Sequence, residues 1–122
     1  MKKPILLIVD DEADIRELSA TIILRFFDVE LMKVGSIKEA KQVIVKKSPD
    51  YAFLDIQLSD GDGFELVSLL KQANKRVKFI FITAFNQMSE QQKAKSLGAS
   101  GLIAKPFRSS DLKRALEEMM EK

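Results

Sequence analysis

The sequence contains no cysteine and no histidine among its 122 residues. Without cysteine the chain has no disulfide framework and no thiolate metal site, which is consistent with a reducing compartment. Without histidine it lacks the commonest metal ligand, the usual general base and any histidine-based phosphorelay step. Any metal must therefore be bound by oxygen, which favours hard cations such as Mg²⁺ or Ca²⁺.

The sequence also lacks a strong excess of one charge and any long apolar run. Twenty basic and 18 acidic residues leave a net charge of +2, too balanced to predict nucleic-acid binding. The apolar runs at 5–9 and 79–82 are far too short to span a bilayer. Residues 1–3 precede only a short apolar run and then two aspartates, which is not a signal-peptide pattern. We therefore expect one cytoplasmic domain comprising residues 1–122.

Short apolar runs alternate with longer amphipathic segments along the chain. The apolar runs predict five buried strands, at residues 5–9, 29–34, 51–54, 77–82 and 101–104. Apolar residues at helical spacing predict a first helix, through Ile15, Leu18, Ile22 and Phe26. Ser36 and Glu39 form a capping-box pattern that predicts the start of a second helix.

Three further helices follow from the same spacing rule. Phe64, Val67 and Leu70 predict the third, and the polar segment 87–97 gives a weaker signal for the fourth. The fifth is predicted by Leu112, Ala115, Leu116 and Met119. Five βα units with continuous apolar strands indicate an α/β fold, a doubly wound parallel sheet with helices on both faces. The element count fits the flavodoxin-like strand order 2-1-3-4-5.

Ligands of such sheets bind beyond the carboxyl ends of the strands. The residues that follow the predicted strands are Asp10 and Asp11, then Asp55, then Thr83 and Ala84, then Lys105 and Pro106. Three clustered carboxylates repel one another, and a divalent cation with oxygen ligands relieves that repulsion. Asp11, Asp55 and a backbone carbonyl suit Mg²⁺, which keeps several waters, better than they suit Ca²⁺.

A phosphoryl group would find binding partners at the same edge. Lys105 supplies a compact positive charge, Thr83 a hydroxyl donor, and Ala84 a backbone N–H. A carboxylate is also a recognised covalent phosphoryl acceptor, and we predict Asp55 as that acceptor. Each residue has a simpler alternative, such as a helix cap or a solvated surface charge. Their coincidence at neighbouring strand ends favours a shared site.

These segments resemble a response-regulator receiver domain of two-component signalling, of the chemotaxis-regulator kind. The matching segments, in order and at family-like spacing, are Ile8-Val9-Asp10-Asp11-Glu12, Leu54-Asp55-Ile56, Asp62-Gly63, Thr83-Ala84 and Lys105-Pro106-Phe107. The resemblance covers essentially the whole chain. It implies that a sensor histidine kinase or a phosphotransfer protein donates a phosphoryl group to Asp55, and that small acyl phosphates can also serve as donors.

The resemblance also implies a site and a switch. Asp11 and Asp55 would bind Mg²⁺ directly with the backbone carbonyl of Gln57, and Asp10 would act through water. Thr83 and Lys105 would bind the phosphoryl group, and the Lys105–Pro106 bond would be cis. Phosphorylation would change the face formed by the fourth helix, fifth strand and fifth helix. That face would bind an unknown output partner, or a second copy of the chain in a phosphorylation-dependent homodimer. We expect the domain to contact neither a membrane nor, directly, a nucleic acid.

Three positions depart from the family pattern. Leu58-Ser59 stands where the family often has Met-Pro, which predicts a looser loop. Leu102 replaces the usual aromatic residue three positions before the lysine, so the chain lacks the side chain of the usual aromatic switch. Phe85 follows Thr83 by two residues, and we predict that its ring shields the acceptor from water. The alternative is that Phe85 packs only locally.

Other functions fit the sequence less well. An aspartyl-phosphate phosphatase of the haloacid dehalogenase kind needs an Asp-x-Asp motif, but Asp55 is followed by Ile56 and Gln57. A receiver-like module that binds partners without phosphorylation would not need the acceptor set. Nucleotide binding lacks both the G-x-G-x-x-G motif and the P-loop. We expect no enzymatic turnover beyond self-phosphorylation and slow self-dephosphorylation. Whether the domain acts alone or belongs to a longer regulator is open.

Overall fold

A computed structural model describes residues 2–85 and 87–121. Its main elements are, in chain order, β1 (Ile5–Val9), α1 (Ala13–Phe26), β2 (Glu30–Val34), α2 (Ile37–Lys46), β3 (Tyr51–Asp55), α3 (Leu66–Ala73), β4 (Lys78–Thr83), α4 (Met88–Ser96), β5 (Gly101–Ala104) and α5 (Ser109–Met120). A small hairpin that pairs Gln57–Leu58 with Gly61–Asp62 lies between β3 and α3. A 3-10 turn, Gly63–Glu65, then leads into α3.

The five main strands form one parallel sheet in the order β2-β1-β3-β4-β5. This confirms the predicted α/β fold and the doubly wound, flavodoxin-like order. The inner strands contain continuous apolar runs because helices cover both faces of the sheet, so all but the first residue of each of these strands is buried. The strand order also reverses after β2: β2 lies on one side of β1, and β3, β4 and β5 follow on the other side. This reversal places a crevice at the carboxyl ends of β1 and β3, where such sheets bind ligands.

Two hydrophobic cores lie on opposite faces of the sheet, because successive strand residues point to opposite sides. On one face, Leu7, Leu54 and Phe81 belong to the same core as the buried residues of α2 and α3. On the other, Leu6, Phe53 and Ile80 lie with α1 and α5. The sheet is therefore held from both sides, and its carboxyl edge presents the loops to solvent.

The first helix packs differently from what its spacing suggests. Ile22 is buried, but Leu18 is 47% exposed and Phe26 is 42% exposed. The buried residues of α1 are Ser19, Ala20, Ile22 and Ile23. The Phe26 ring instead lies beneath the Lys113 ammonium, 4.8 Å from Nζ to the ring centroid. More than one side of α1 carries apolar residues. Packing against the sheet and α5 determines which side is buried.

The second helix starts where the capping pattern predicts, and the side chains of Ser36 and Glu39 both accept backbone N–H groups there. The Ser36 hydroxyl accepts a hydrogen bond from the Glu39 N–H at 3.1 Å. The Glu39 carboxylate accepts from the Gly35 N–H at 3.2 Å rather than completing the box at Ser36.

Within the described part of the chain, no helix combines the length and the apolar character that crossing a membrane would require.

Candidate functional site

The carboxyl ends of four strands bring the predicted site residues together. Asp10 directly follows β1, Asp55 ends β3, Thr83 ends β4 and Lys105 directly follows β5. The register sets Asp55 beside Ile82, so Thr83 is the next residue along the neighbouring strand. Asp10, Asp55 and Thr83 are all buried, at 1%, 2% and 0% exposure. Polar side chains so deeply buried require partners within the protein or a bound ion.

Lys105 is the cation at the centre of this group. Its ammonium lies 3.0 Å from the Asp55 carboxylate and 3.3 Å from that of Asp10. It also lies 2.6 Å from the carboxylate of Glu12, which is largely exposed. Only 10% of the Lys105 side chain is exposed, so its charge acts on the carboxylates with little screening by water.

Burial sets the protonation of the central carboxylate. It raises the pKa of Asp55 from 3.8 to about 7, the hydrogen bond from Lys105 opposes that rise, and the negative charge of Asp10 adds to it. Burial by itself would lower the pKa of Lys105, but hydrogen bonds to Glu12 and Asp55 outweigh it and raise that pKa above its ordinary value. Lys105 is therefore charged at neutral pH, while Asp55 resists ionisation unless further positive charge approaches.

The carboxylates fit a hard divalent cation. One oxygen each from Asp10, Asp11 and Asp55 lie within 4.8 Å of one another. The Oδ2 atom of Asp10 is buried and accepts no hydrogen bond, although the Lys105 ammonium is near. Asp11 is exposed, which leaves one side of the cluster open to solvent. Oxygen ligands with an open side suit Mg²⁺, which binds one or two carboxylates and keeps several waters.

Backbone contacts orient the acidic residues. The Glu12 N–H donates to Asp10 Oδ1 at 2.9 Å, and the Arg16 guanidinium donates to the Asp10 carbonyl at 2.8 Å. The Gln57 N–H donates to Asp55 Oδ1 at 3.2 Å. Gln57 therefore lies next to the acceptor, and its carbonyl as a metal ligand stays a prediction. The Lys105–Pro106 peptide bond is cis, as the resemblance implied.

The backbone of Gly63 lies directly against that of the acceptor, Asp55. A Cβ atom at this position would lie 2.2 Å from the Asp55 carbonyl oxygen. The Gly63 N–H donates to the Ile56 carbonyl at 2.8 Å, which holds the loop against the end of β3. The Asp62-Gly63 segment is part of the family pattern, but only the tertiary structure reveals this close backbone approach.

The loop after β3 is anchored to the start of α2 through Asp60. The Asp60 carboxylate accepts the N–H groups of Ile37 and Lys38, at 2.9 Å and 3.1 Å, at the start of α2. These backbone hydrogen bonds lower the pKa of Asp60 below its ordinary value. Together with the small hairpin, they tie residues 57–62 to α2. The looser loop predicted from Leu58-Ser59 stays a prediction.

Thr83 faces the start of α4. Its hydroxyl lies 2.8 Å from the Glu90 carboxylate and 3.1 Å from the Phe85 carbonyl, and it accepts the Phe85 N–H at 3.0 Å. Sequence reasoning missed Glu90; the only available signal was an acidic residue in the first turn of a polar helix. Phe85 is 55% exposed, so its ring is largely outside the core, and its shielding of the acceptor stays a prediction. Leu102 is half-buried and packs against the core that contains Phe81.

The chain belongs to the response regulator receiver domain family, whose model matches residues 6–117. It is thus a receiver domain of two-component phosphorelay signalling. The three carboxylates that fit a metal ion, the central lysine and the whole parallel sheet except Ile5 lie within the matched residues.

Particular relatives agree with this assignment. The sensory transduction protein LytT of Bacillus anthracis is 36% identical over 102 residues, which are 83% of this chain and 41% of LytT. The chain thus spans less than half of that relative. Sporulation initiation phosphotransferase F of Bacillus subtilis is 27% identical over 94% of this chain and 92% of its own length. A putative response regulator from Chloroflexus aurantiacus superposes with a TM-score of 0.85 at 28% identity, covering 99% of this chain and all of that one.

Proposed function

We propose that Asp55 accepts a phosphoryl group from the phosphohistidine of a sensor histidine kinase or a phosphotransfer protein, in a reaction that requires Mg²⁺. The observation that carries the proposal is the buried Asp55 carboxylate with the Lys105 ammonium at 3.0 Å and two further carboxylates within metal-binding distance. The protein would cleave no separate substrate. It would only phosphorylate itself and slowly lose that group to water.

The transfer step follows from the charges at the site. An oxygen of Asp55 attacks phosphorus and forms an acyl phosphate, while the bond to the donor nitrogen breaks and its electron pair leaves with the imidazole. The phosphoryl group brings negative charge into a group of carboxylates, so compensating positive charge controls the rate. Lys105 provides one such charge. Mg²⁺, held by Asp11, Asp55 and the Gln57 carbonyl with Asp10 close by, would supply the rest.

Phosphorylation would then change the protein surface. The new group adds a charge near −2 and three acceptor oxygens. The Thr83 hydroxyl, the Ala84 N–H and Lys105 are the donors available to these oxygens. Their movement would repack the face formed by α4, β5 and α5, which we propose as the binding surface for an output partner or for a second copy of the chain. The proposal places this switch in the cytoplasm.

A relative supports a relay role. The Bacillus subtilis protein named as a sporulation phosphotransferase is matched over 92% of its length. Passing a phosphoryl group onward is thus a second form that the same acceptor chemistry can take.

Intact-mass spectrometry after incubation with acetyl phosphate and Mg²⁺ tests the proposal. We expect one phosphoryl adduct on the wild type, and none after Asp55→Asn or with EDTA present. Asp28→Asn, an exposed carboxylate paired with Lys3, serves as the matched control and keeps the adduct. An unchanged adduct on Asp55→Asn, or none on the wild type, refutes it. Steady turnover of p-nitrophenyl phosphate would instead indicate a phosphatase.

A further inference from the structure

The hydroxyl of Thr83 acts both as a hydrogen-bond donor and as an acceptor. It is fully buried, at 0% exposure, so water does not compete for it. One lone pair accepts the Phe85 N–H at 3.0 Å. Two acceptors compete for its single proton, the Glu90 carboxylate at 2.8 Å and the Phe85 carbonyl at 3.1 Å. The carboxylate is closer, and an ionised acceptor forms the stronger bond.

A hydroxyl has one proton to donate. If Thr83 donates to a phosphoryl oxygen on Asp55, it must withdraw that proton from Glu90. The two hydrogen bonds are therefore mutually exclusive. The negative charge of a phosphoryl group would also repel the Glu90 carboxylate. Both effects act in the same direction, because each separates Glu90 from Thr83 when Asp55 is phosphorylated.

We propose that Glu90 is a positioning residue that holds the Thr83 hydroxyl toward α4 in the unphosphorylated protein and releases the first turn of α4 when Thr83 turns to the phosphoryl group. This inference rests on the proposed function of Asp55. It assigns to Glu90 the coupling between the acceptor and the α4 face, in a chain that has Leu102 in place of an aromatic residue.

The packing of α4 makes this contact important. Ala94 is the only buried residue that the structure describes within α4, so few apolar contacts fix the helix to the sheet. The hydrogen bond that Glu90, in the first turn, accepts from Thr83 of β4 is thus one of the contacts that attach the helix. Elements with few buried contacts also open most easily. Loss of the Glu90 contact should therefore loosen the N-terminal turn of α4.

Binding of beryllofluoride, a phosphoryl mimic, tests the inference at equilibrium. Fluorine NMR titration in the presence of Mg²⁺ gives the affinity without any donor protein. Because Glu90 competes for the Thr83 proton, we expect Glu90→Ala to tighten binding about fivefold. Glu90→Gln keeps an oxygen acceptor without the charge and should lie closer to the wild type. Gln92→Ala, an exposed position of the same helix, is the control and should bind as the wild type does.

A double-mutant cycle separates the hydrogen bond from the charge. Thr83→Val removes the hydroxyl, so Glu90→Ala should gain less affinity for beryllofluoride in that background, where only the charge repulsion is relieved. Tighter binding is a gain that mere destabilisation would not produce. Unchanged affinity in Glu90→Ala, or an equal gain in the Thr83→Val background, would overturn the inference. If the wild type binds no beryllofluoride at Asp55, with Asp55→Asn identical to it, the proposed function itself fails.

Discussion

Gly63→Ala is the sharpest structural test of how the acceptor is held. The new methyl carbon would lie 2.2 Å from the Asp55 carbonyl oxygen. Residues with positive φ include Gly61 and Gly98 but not Gly63, so the clash and not the backbone angle causes the strain. The colliding atom belongs to the backbone of β3 and cannot rotate away. Either the loop or the end of the strand must move.

The expected loss of stability follows from the cost of overpacking. Inserting a methyl group into a packed site typically costs about 1–3 kcal/mol, and a fixed backbone atom places this case near the upper value. For a domain of this size, about 3 kcal/mol lowers the melting temperature by roughly 10 °C. Because domains are stable by about 5–15 kcal/mol, the variant still folds. Displacement of Asp55 should also slow phosphorylation by acetyl phosphate about tenfold or more.

Gly101→Ala is the matched control. A Cβ atom there meets no other atom within 4 Å, so the change should be neutral or stabilise the protein by about 0.4–1 kcal/mol through the unfolded chain. Thermal and urea unfolding followed by circular dichroism measure both variants. If Gly63→Ala melts within two or so degrees of Gly101→Ala (a spread of roughly half a kcal/mol), the close approach to Asp55 has no energetic importance and the reasoning is wrong.

Two further predictions concern the acceptor and its surroundings. The pKa of Asp55 is raised to about 7 in the fold, so in metal-free protein this group lowers stability as the pH rises from about 4 to 7. Asp55→Asn should therefore raise the free energy of unfolding at pH 8, by at most about 4 kcal/mol, but not below pH 4; equal effects at both pH values in urea titrations with EDTA would contradict this. We predict that the Phe85 ring shields the acceptor from water, so Phe85→Ala should lose its phosphoryl group several-fold faster, whereas Met88→Ala, 71% exposed, should not. Decay of the intact-mass adduct measures both, and equal lifetimes would refute shielding by Phe85.

Much of the fold was predictable because its signals are local. Continuous apolar runs such as Ile5–Val9 are read directly as strands that are buried on both faces. The weak signal for the fourth helix was also correct, since α4 forms at Met88–Ser96. By contrast, the buried side of α1 was not predictable, because Leu18 and Phe26 suit the helical period as well as Ile22 does. Only contact with the sheet and α5 distinguishes them.

The sequence by itself determined the order of strands and helices along the chain. It also determined which polar residues follow the strands, among them Asp10, Asp55, Thr83 and Lys105. A parallel sheet gathers its carboxyl ends at one edge, so strand order alone predicts that these residues meet. Tertiary structure decided the contacts between segments far apart in the chain: Asp60 capping α2, Gly63 against the Asp55 carbonyl, and Glu90 holding Thr83. These depend on angstrom-scale distances between loops, which no spacing rule along the chain encodes.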